Sequence, residues 1–168
     1  VEGCLRRGVS ESVAKTIFHE MESFASYAFN KSHAAAYAMV AYETAYLKCH
    51  YPQQYMASLL TSVLDSTNKV VSYIGDCTRM GIAVLPPYVN DSNATFTPVG
   101  KDIRFGLLAV KNLGKGFIDA LVRERQEHGK FQTFYQFCKR MYPIDLNRRA
   151  LESLILCGAM DGLGEGYN

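Results

Sequence analysis

The segment Val-Lys-Asn-Leu-Gly-Lys-Gly-Phe-Ile-Asp-Ala-Leu, residues 110–121, predicts two helices joined by a tight turn. A short helix leads into Asn112, and a helix with an apolar stripe follows from about Phe117 to His128. Between them lies Leu113, a hydrophobic residue flanked by Asn112 and Gly114, which both tolerate the left-handed αL conformation. The segment therefore predicts a helical hairpin.

This order of elements is the helix-hairpin-helix pattern, and its chemistry suits DNA phosphate. A glycine turn lets a phosphate approach closely, and the unpaired N–H groups at the positive end of the next helix bind the anion. Lys115 would add a mobile cation. Because phosphates carry no base identity, we expect binding that is sensitive to salt and independent of sequence. The pattern usually has glycine where this chain has Asn112, and an ordinary helical hairpin is the alternative interpretation.

Four helices are predicted ahead of the hairpin, at about Glu11–Ala28, Ser32–His50, Pro52–Leu64 and Thr67–Gly81. The first has an amphipathic stripe of Val13, Ile17, Phe18, Met21, Phe24 and Ala25. In the fourth, Thr67 is placed to cap the start and Gly81 to stop the end. Its predicted buried stripe is Val70, Val71, Ile74 and Cys77.

Short strands are predicted at 82–85, 95–98 and 103–107, with a turn at Gly100. Two more helices are predicted after the hairpin, from about Gln132 to Met141 and from Asn147 to Leu156. The expected fold is mainly α with a small β element. We divide it into a helical part (1–81), a short β-containing connector (82–108) and a helix-hairpin-helix module with its following helices (109–168).

Composition limits the classes of protein that fit. Of 168 residues, 48% are hydrophobic and 20% charged, which is typical of a folded globular chain. The net charge of +2 means that a nucleic-acid surface must come from the placement of Lys and Arg. Five cysteines without a CxxC pair favour neither disulfides nor zinc, and no apolar run reaches the roughly 18–20 residues of a membrane span. We expect a cytoplasmic, reduced protein with no membrane partner.

A second candidate site lies at Phe29-Asn30-Lys31-Ser32-His33, directly before an alanine-rich helix. A cation, an imidazole and a hydroxyl surround a helix N-terminus whose N–H groups are unpaired. A triphosphate would suit this site, and His33 could donate a proton or hydrogen bond to departing pyrophosphate. The alternative is a helix cap in which Asn30 or Ser32 binds only its own backbone.

The same segment carries a resemblance to a known family. The run FNKSHAAAYAMVAYETAYLKCHYPQQYMASLLTS is very similar to the fingers region of the C-family bacterial replicases, the DNA polymerase III alpha subunits. The similarity continues through MGIAVLPPYVNDS, IRFGLLAVKNLG and LNRRALESLILCGAMDGLG. It covers essentially the whole chain, so the fold is expected to be a helical fingers subdomain followed by a helix-hairpin-helix module. Tyr88 departs from the more usual acidic residue after the two prolines, which leaves a polar role there in doubt.

The resemblance implies functions for both candidate sites. In that family the fingers hold the incoming deoxynucleoside triphosphate, and the helix-hairpin-helix grips duplex backbone. It implies nucleotide-side roles for Asn30, Lys31, Ser32 and His33. It implies DNA-backbone roles for Asn112, Leu113, Gly114, Lys115 and Gly116.

The resemblance also implies what other parts of such an enzyme supply. The catalytic carboxylates and their magnesium ions belong to the palm, which precedes this segment, so we assign no catalytic or metal-binding residue and no cofactor here. The expected partners are primer–template DNA, deoxynucleoside triphosphates, the remaining domains of the polymerase subunit and, through them, other replisome subunits. The start at Val1 and the polar run after Gly162 suggest that both ends were cut from a longer chain. Because the palm carboxylates are absent here, we expect that this segment alone does not polymerise DNA.

Two other functions fit parts of the sequence. One is a stand-alone helix-hairpin-helix module for DNA binding or repair, which would not need the segment at 29–33. The other is a helical scaffold that binds neither DNA nor nucleotide. Adjacent Cys49 and His50 would point about 100° apart on a helix and do not suit a nucleophile and its base. Three basic pairs on the predicted C-terminal helices form either solvated faces or extensions of a phosphate-binding surface. They are Arg123 and Arg125, Lys139 and Arg140, and Arg148 and Arg149.

Overall fold

The computed structural model describes residues 1–27 and 31–164. Within these residues there are eight α-helices and a three-stranded sheet, so the predicted fold class, mainly α with a small β element, is confirmed. The helices are α1 (Glu2–Leu5), α2 (Glu11–Tyr27), α3 (Lys31–His50), α4 (Pro52–Ser62), α5 (Thr67–Arg79), α6 (Lys115–His128), α7 (Phe134–Met141) and α8 (Arg148–Leu156). The strands are β1 (Val84–Leu85), β2 (Thr97–Val99) and β3 (Asp102–Arg104).

The chain divides into two compact units, Val1–Tyr46 and Leu47–Asn168, with the division inside α3. In the first unit the apolar stripe of α2 stays exposed: Val13, Ile17, Phe18, Met21 and Phe24 are each about half exposed or more. Ala14 of the same helix is buried. The predicted module limits at residues 81 and 108 stay predictions. In the described part of the chain, no helix has both the length and the apolar character needed to cross a membrane.

The second unit contains a first core, the sheet core, formed by α4, α5 and the strands. Its buried residues are Met56, Ala57, Leu60, Val70, Cys77, Ile82, Phe96 and Ile103. The predicted stripe of α5 is correct for Val70 and Cys77 but wrong for Val71, which is 64% exposed. Val71 follows Val70 by about 100° around the helix and so leaves the face that meets α4. The predicted cap is also wrong, since Ser66 precedes the helix and makes no side-chain cap hydrogen bond.

The three strands belong to the sheet core, and the chain runs from them into the hairpin. β3 lies in the middle, parallel to β1 and antiparallel to β2. It ends at Arg104, earlier than the predicted end at residue 107, and Gly106 then lies against the backbone of Thr95. A Cβ on residue 106 would lie 2.5 Å from the Thr95 carbonyl carbon, which is too close for any side chain. Only glycine therefore fits at this position. A 3₁₀ turn at Leu107–Ala109 then leads into the hairpin.

A second core, the hairpin core, lies beneath the turn and α6, α7 and α8. Its buried residues are Val89, Leu107, Leu113, Phe117, Ile118, Leu121, Phe131, Phe137, Met141, Ala150, Leu154, Ala159 and Met160. The Phe131 and Phe137 rings meet edge to face, with centroids 4.9 Å apart. Leu113 of the turn is therefore buried in one core with residues of α6, α7 and α8.

Candidate nucleic-acid interface

The turn at 112–114 has the geometry of a tight hairpin. Asn112 has φ +64°, the only positive φ of a non-glycine residue among those described, and so adopts the αL conformation there. Leu113 is 7% exposed and packs into the hairpin core. Burying a leucine side chain contributes about 1.5–3 kcal/mol. The turn is therefore anchored from below while its polar residues face outward.

Helix α6 begins directly after this turn with unused N–H groups. Gly114 precedes the helix, and its carbonyl accepts the first intrahelical hydrogen bond, from the Ile118 N–H at 3.1 Å. No side chain caps this end. By contrast, Thr133 accepts from the Gln136 N–H at the start of α7, and Asn147 accepts from the Ala150 N–H at the start of α8. The start of α6 can therefore bind an anion through its backbone.

The two glycines at the start of α6 are not required by the fold. Gly114 has φ −77° and ψ 149°, which any residue adopts. A Cβ on Gly114 or Gly116 would meet no atom within 4 Å. Gly116 lies inside a helix, where alanine is more favourable by about 0.8–1 kcal/mol. What the glycines provide is open access to the backbone from outside the chain.

The electrostatics of this end favour a negative ligand. Lys111 and Lys115 are exposed on either side of the turn. Among the carboxylates in the described residues, none pairs with either lysine. The positive end of the α6 dipole adds to their field. The structure thus brings together all five nominated residues, Asn112, Leu113, Gly114, Lys115 and Gly116, at one exposed helix start.

A contact that the sequence did not reveal fixes the turn from the side. The Asn112 Nδ2 donates a hydrogen bond to the Ser153 Oγ of α8 at 3.1 Å. The two residues are 41 positions apart, so no local pattern could have linked them. Ser153 is half-buried beside the hairpin core.

The loop after the two prolines is tied to the last turn of α6 and to Gly162 through polar contacts. Arg125 of α6 donates to the carbonyls of Val89 and Ser92 and to the Asn93 Oδ1, at 2.6–2.9 Å. The Tyr88 hydroxyl donates to the Gly162 carbonyl and accepts from the Asn90 amide. Tyr88 therefore has a polar contact despite its departure from the family pattern.

The predicted basic pairs divide into different roles. Arg125 is half-buried, and burial lowers the pKa of its guanidinium. Arg140 donates to Glu124 and lies over the Phe131 ring at 4.2 Å, and its hydrogen bond holds the pKa of Glu124 below the usual range. Arg125 and Arg140 therefore bind groups of the fold itself. The prediction that these basic pairs form solvated faces or a phosphate-binding surface is wrong for these two residues. Arg148 and Arg149 remain exposed on α8.

The second candidate site lies in the first unit and is described only in part. Asn30 lies outside the described residues. Lys31 begins α3, close to the predicted start at Ser32, and Ser32 and His33 follow in its first turn. Their side chains are exposed, and the His33 ring centroid lies 4.3 Å from that of Tyr37. Lys31, Ser32 and His33 therefore occupy the start of a long helix, as the sequence predicts.

Other reactive groups form no further site in the described residues. All five cysteines are free thiols. Burial raises the pKa of the Cys77, Cys138 and Cys157 thiols, which keeps them protonated and weakly nucleophilic at neutral pH. Within residues 1–27 and 31–164, no group of three or more His, Cys, Asp or Glu side chains could hold a metal ion.

Known proteins are similar to the hairpin half of the chain and also to nearly its full length. A family model described as the helix-hairpin-helix motif matches residues 81–167. The chain is 47% identical over 165 residues to the DNA polymerase III subunit alpha of Thermus aquaticus, covering 98% of this chain and 14% of that protein. The same subunit of Mycobacterium tuberculosis strain H37Rv is 47% identical over 97% of the chain, and that of Deinococcus radiodurans is 43% identical over 99%.

These relatives are far longer than this chain, which spans 14% of the Thermus and Mycobacterium proteins and 12% of the Deinococcus protein. The similarity extends well upstream of the hairpin and includes the segment that begins α3. The family resemblance read from the sequence is confirmed. The chain belongs to the helix-hairpin-helix family, and nearly its whole length is similar to one segment of the DNA polymerase III alpha subunits.

Proposed function

We propose that this chain binds the backbone of primer–template DNA through the hairpin at 112–116, as part of a bacterial replicative DNA polymerase. The observation that carries the proposal is the pair Gly114 and Gly116, which leave the start of α6 open although the fold needs neither glycine. A phosphate that approaches there meets free N–H groups, a helix dipole and Lys115. Such a surface grips any duplex, since phosphates do not report base identity.

The polymerase context is supported by the extent of the similarity. A stand-alone DNA-binding or repair module accounts for residues 81–167, whereas similarity to polymerase subunits covers 98% of the chain. In this proposal the rest of the subunit supplies the palm carboxylates and their magnesium ions, and the chain alone does not polymerise DNA. Its further partners are the other domains of the subunit and, through them, other replisome subunits in the cytoplasm.

A second part of the proposal concerns the incoming deoxynucleoside triphosphate. Asn30, Lys31, Ser32 and His33 are assigned to its phosphate side, because Lys31 and the first turn of α3 present positive charge and N–H donors at a helix start. His33 can hydrogen-bond to departing pyrophosphate. This assignment is independent of the hairpin, which lies in the other unit.

The experiment that tests the DNA-binding proposal is a titration of this chain with several unrelated duplexes and a primer–template junction at increasing salt. We expect similar affinities for all sequences and a steep loss of affinity with salt. Affinity that depends strongly on base sequence, or no binding at low salt, would contradict the proposal.

A further inference from the structure

Helix α8 lies beside the hairpin through a specific contact. The Asn112 Nδ2 donates to the Ser153 Oγ at 3.1 Å while Asn112 holds φ +64°. Asparagine tolerates the αL conformation better than most residues but less freely than glycine. The hydrogen bond from the side chain therefore favours the backbone conformation that glycine would adopt without help.

Arg149 lies on the same face of α8 as Ser153. The two residues are four positions apart, so their Cβ atoms are separated by about 5–6 Å. Because Ser153 contacts the turn, an arginine side chain one helical turn away can reach the outer side of the hairpin. Arg149 is exposed, and no carboxylate in residues 1–27 or 31–164 forms an ion pair with it.

Its neighbour Arg148 is occupied differently. The Arg148 Nε donates to Glu152 at 2.7 Å, along the adjacent face of the same helix. Arg148 also borders a cavity between α7 and α8 that Tyr135, Cys138 and Leu151 line. The two adjacent arginines therefore face different surroundings, and only Arg149 shares the face of Ser153.

We propose that α8 forms the second part of the DNA-backbone surface: Ser153 is a positioning residue that holds Asn112 in the αL conformation, and Arg149 binds a phosphate beside the one held at the start of α6. This inference rests on the proposed DNA-binding function. Ser153 itself touches no DNA, so its effect passes through Asn112. Arg149 acts directly and contributes one cation to the salt-sensitive part of binding.

The test for Ser153 is a cycle of variants of this chain: Ser153→Ala, Asn112→Gly and the two combined. Duplex binding is measured at one moderate salt concentration, and circular dichroism confirms that each variant is folded. Loss of one hydrogen bond predicts that Ser153→Ala weakens binding by about two- to tenfold. In the Asn112→Gly background the same change should have no further effect, because glycine adopts αL unaided. An equal loss in both backgrounds would overturn the positioning role.

The test for Arg149 compares Arg149→Ala with its matched control Arg148→Ala. The slope of log affinity against log salt should fall in magnitude by about 0.9 for Arg149→Ala, the value for one phosphate contact on B-DNA. Arg148→Ala should change the slope by less than half as much. Equal slopes for the two variants, or no change for Arg149→Ala, would overturn its assignment. Failure of the unaltered chain to bind would instead overturn the proposed function, and this inference with it.

Discussion

The side-chain amide of Asn90 pairs with both backbone groups of Phe131. Its Nδ2 donates to the Phe131 carbonyl, and its Oδ1 accepts from the Phe131 N–H, each at 2.7 Å. Asn90 is 5% exposed, and these hydrogen bonds tie the loop after the two prolines to the segment between α6 and α7. The hairpin core is thus closed by a buried polar contact as well as by apolar packing.

Replacing Asn90 with alanine should destabilise the chain. The change leaves the Phe131 N–H and carbonyl buried without partners, at a cost of about 1–3 kcal/mol for each group. Urea unfolding measures the loss in the free energy of unfolding. Asn68→Ala, at an exposed position in α5, is the control and should change it far less. Equal stability of the two variants would show that the Asn90 contact is not needed.

The pairing of Glu124 with Arg140 predicts a dependence of stability on pH. The hydrogen bond from Arg140 lowers the pKa of Glu124 below its ordinary 4.5 in the folded state. A lowered pKa stabilises the fold above the unfolded-state pKa, and that stabilisation is lost as the pH falls through the folded-state value. The melting temperature of Glu124→Gln should therefore be lower than that of the unaltered chain at neutral pH. The difference between the two melting temperatures should shrink in acid. Glu127→Gln, an exposed neighbour on α6, should show neither effect.

Gly116→Ala should separate stability from DNA binding. The added Cβ meets no atom and favours the helix, so the free energy of unfolding should stay the same or rise by up to about 1 kcal/mol. DNA affinity should fall, because the Cβ obstructs the approach of a phosphate to the backbone. Gly75→Ala makes the same change in the equally open interior of α5 and should leave binding unchanged. Undiminished binding by Gly116→Ala would mean that DNA does not approach this glycine.

Lys31→Ala tests the nucleotide-side assignment in a full-length polymerase subunit that carries this segment. Loss of the cation at the start of α3 should raise the nucleotide concentration needed for half-maximal synthesis more than it weakens DNA binding. Lys48→Ala, near the other end of the same helix, is the matched control. An unchanged steady-state dependence on nucleotide would remove Lys31 from the site.

Much of the local structure could be predicted from the sequence. Helical periodicity, proline and glycine positions place the main helices to within a few residues, and the αL tolerance of Asn112 matches its φ of +64°. These features are local, since a helix or turn depends on residues within a few positions of one another.

The parts that could not be predicted depend on contacts between distant residues. The sequence does not show that Arg125 and Arg140 point inward, because the carbonyls and the carboxylate that accept their hydrogen bonds lie 11–36 positions away. The same holds for Ser153, whose partner Asn112 is on another element. The apolar pattern of α5 includes Val71, but it is wider than the face that α4 covers, so Val71 is exposed.

The measurement that tests the central claim most directly is a salt titration of duplex DNA binding by the unaltered chain, Lys115→Glu and Lys69→Glu. Both substitutions make the same change of charge, but Lys69 is exposed on α5, a helix of the sheet core rather than of the hairpin core. We predict that Lys115→Glu weakens binding to all duplexes alike and lowers the salt dependence by about one phosphate contact, whereas Lys69→Glu has a much smaller effect. Equal losses for the two variants would contradict a backbone clamp at the start of α6.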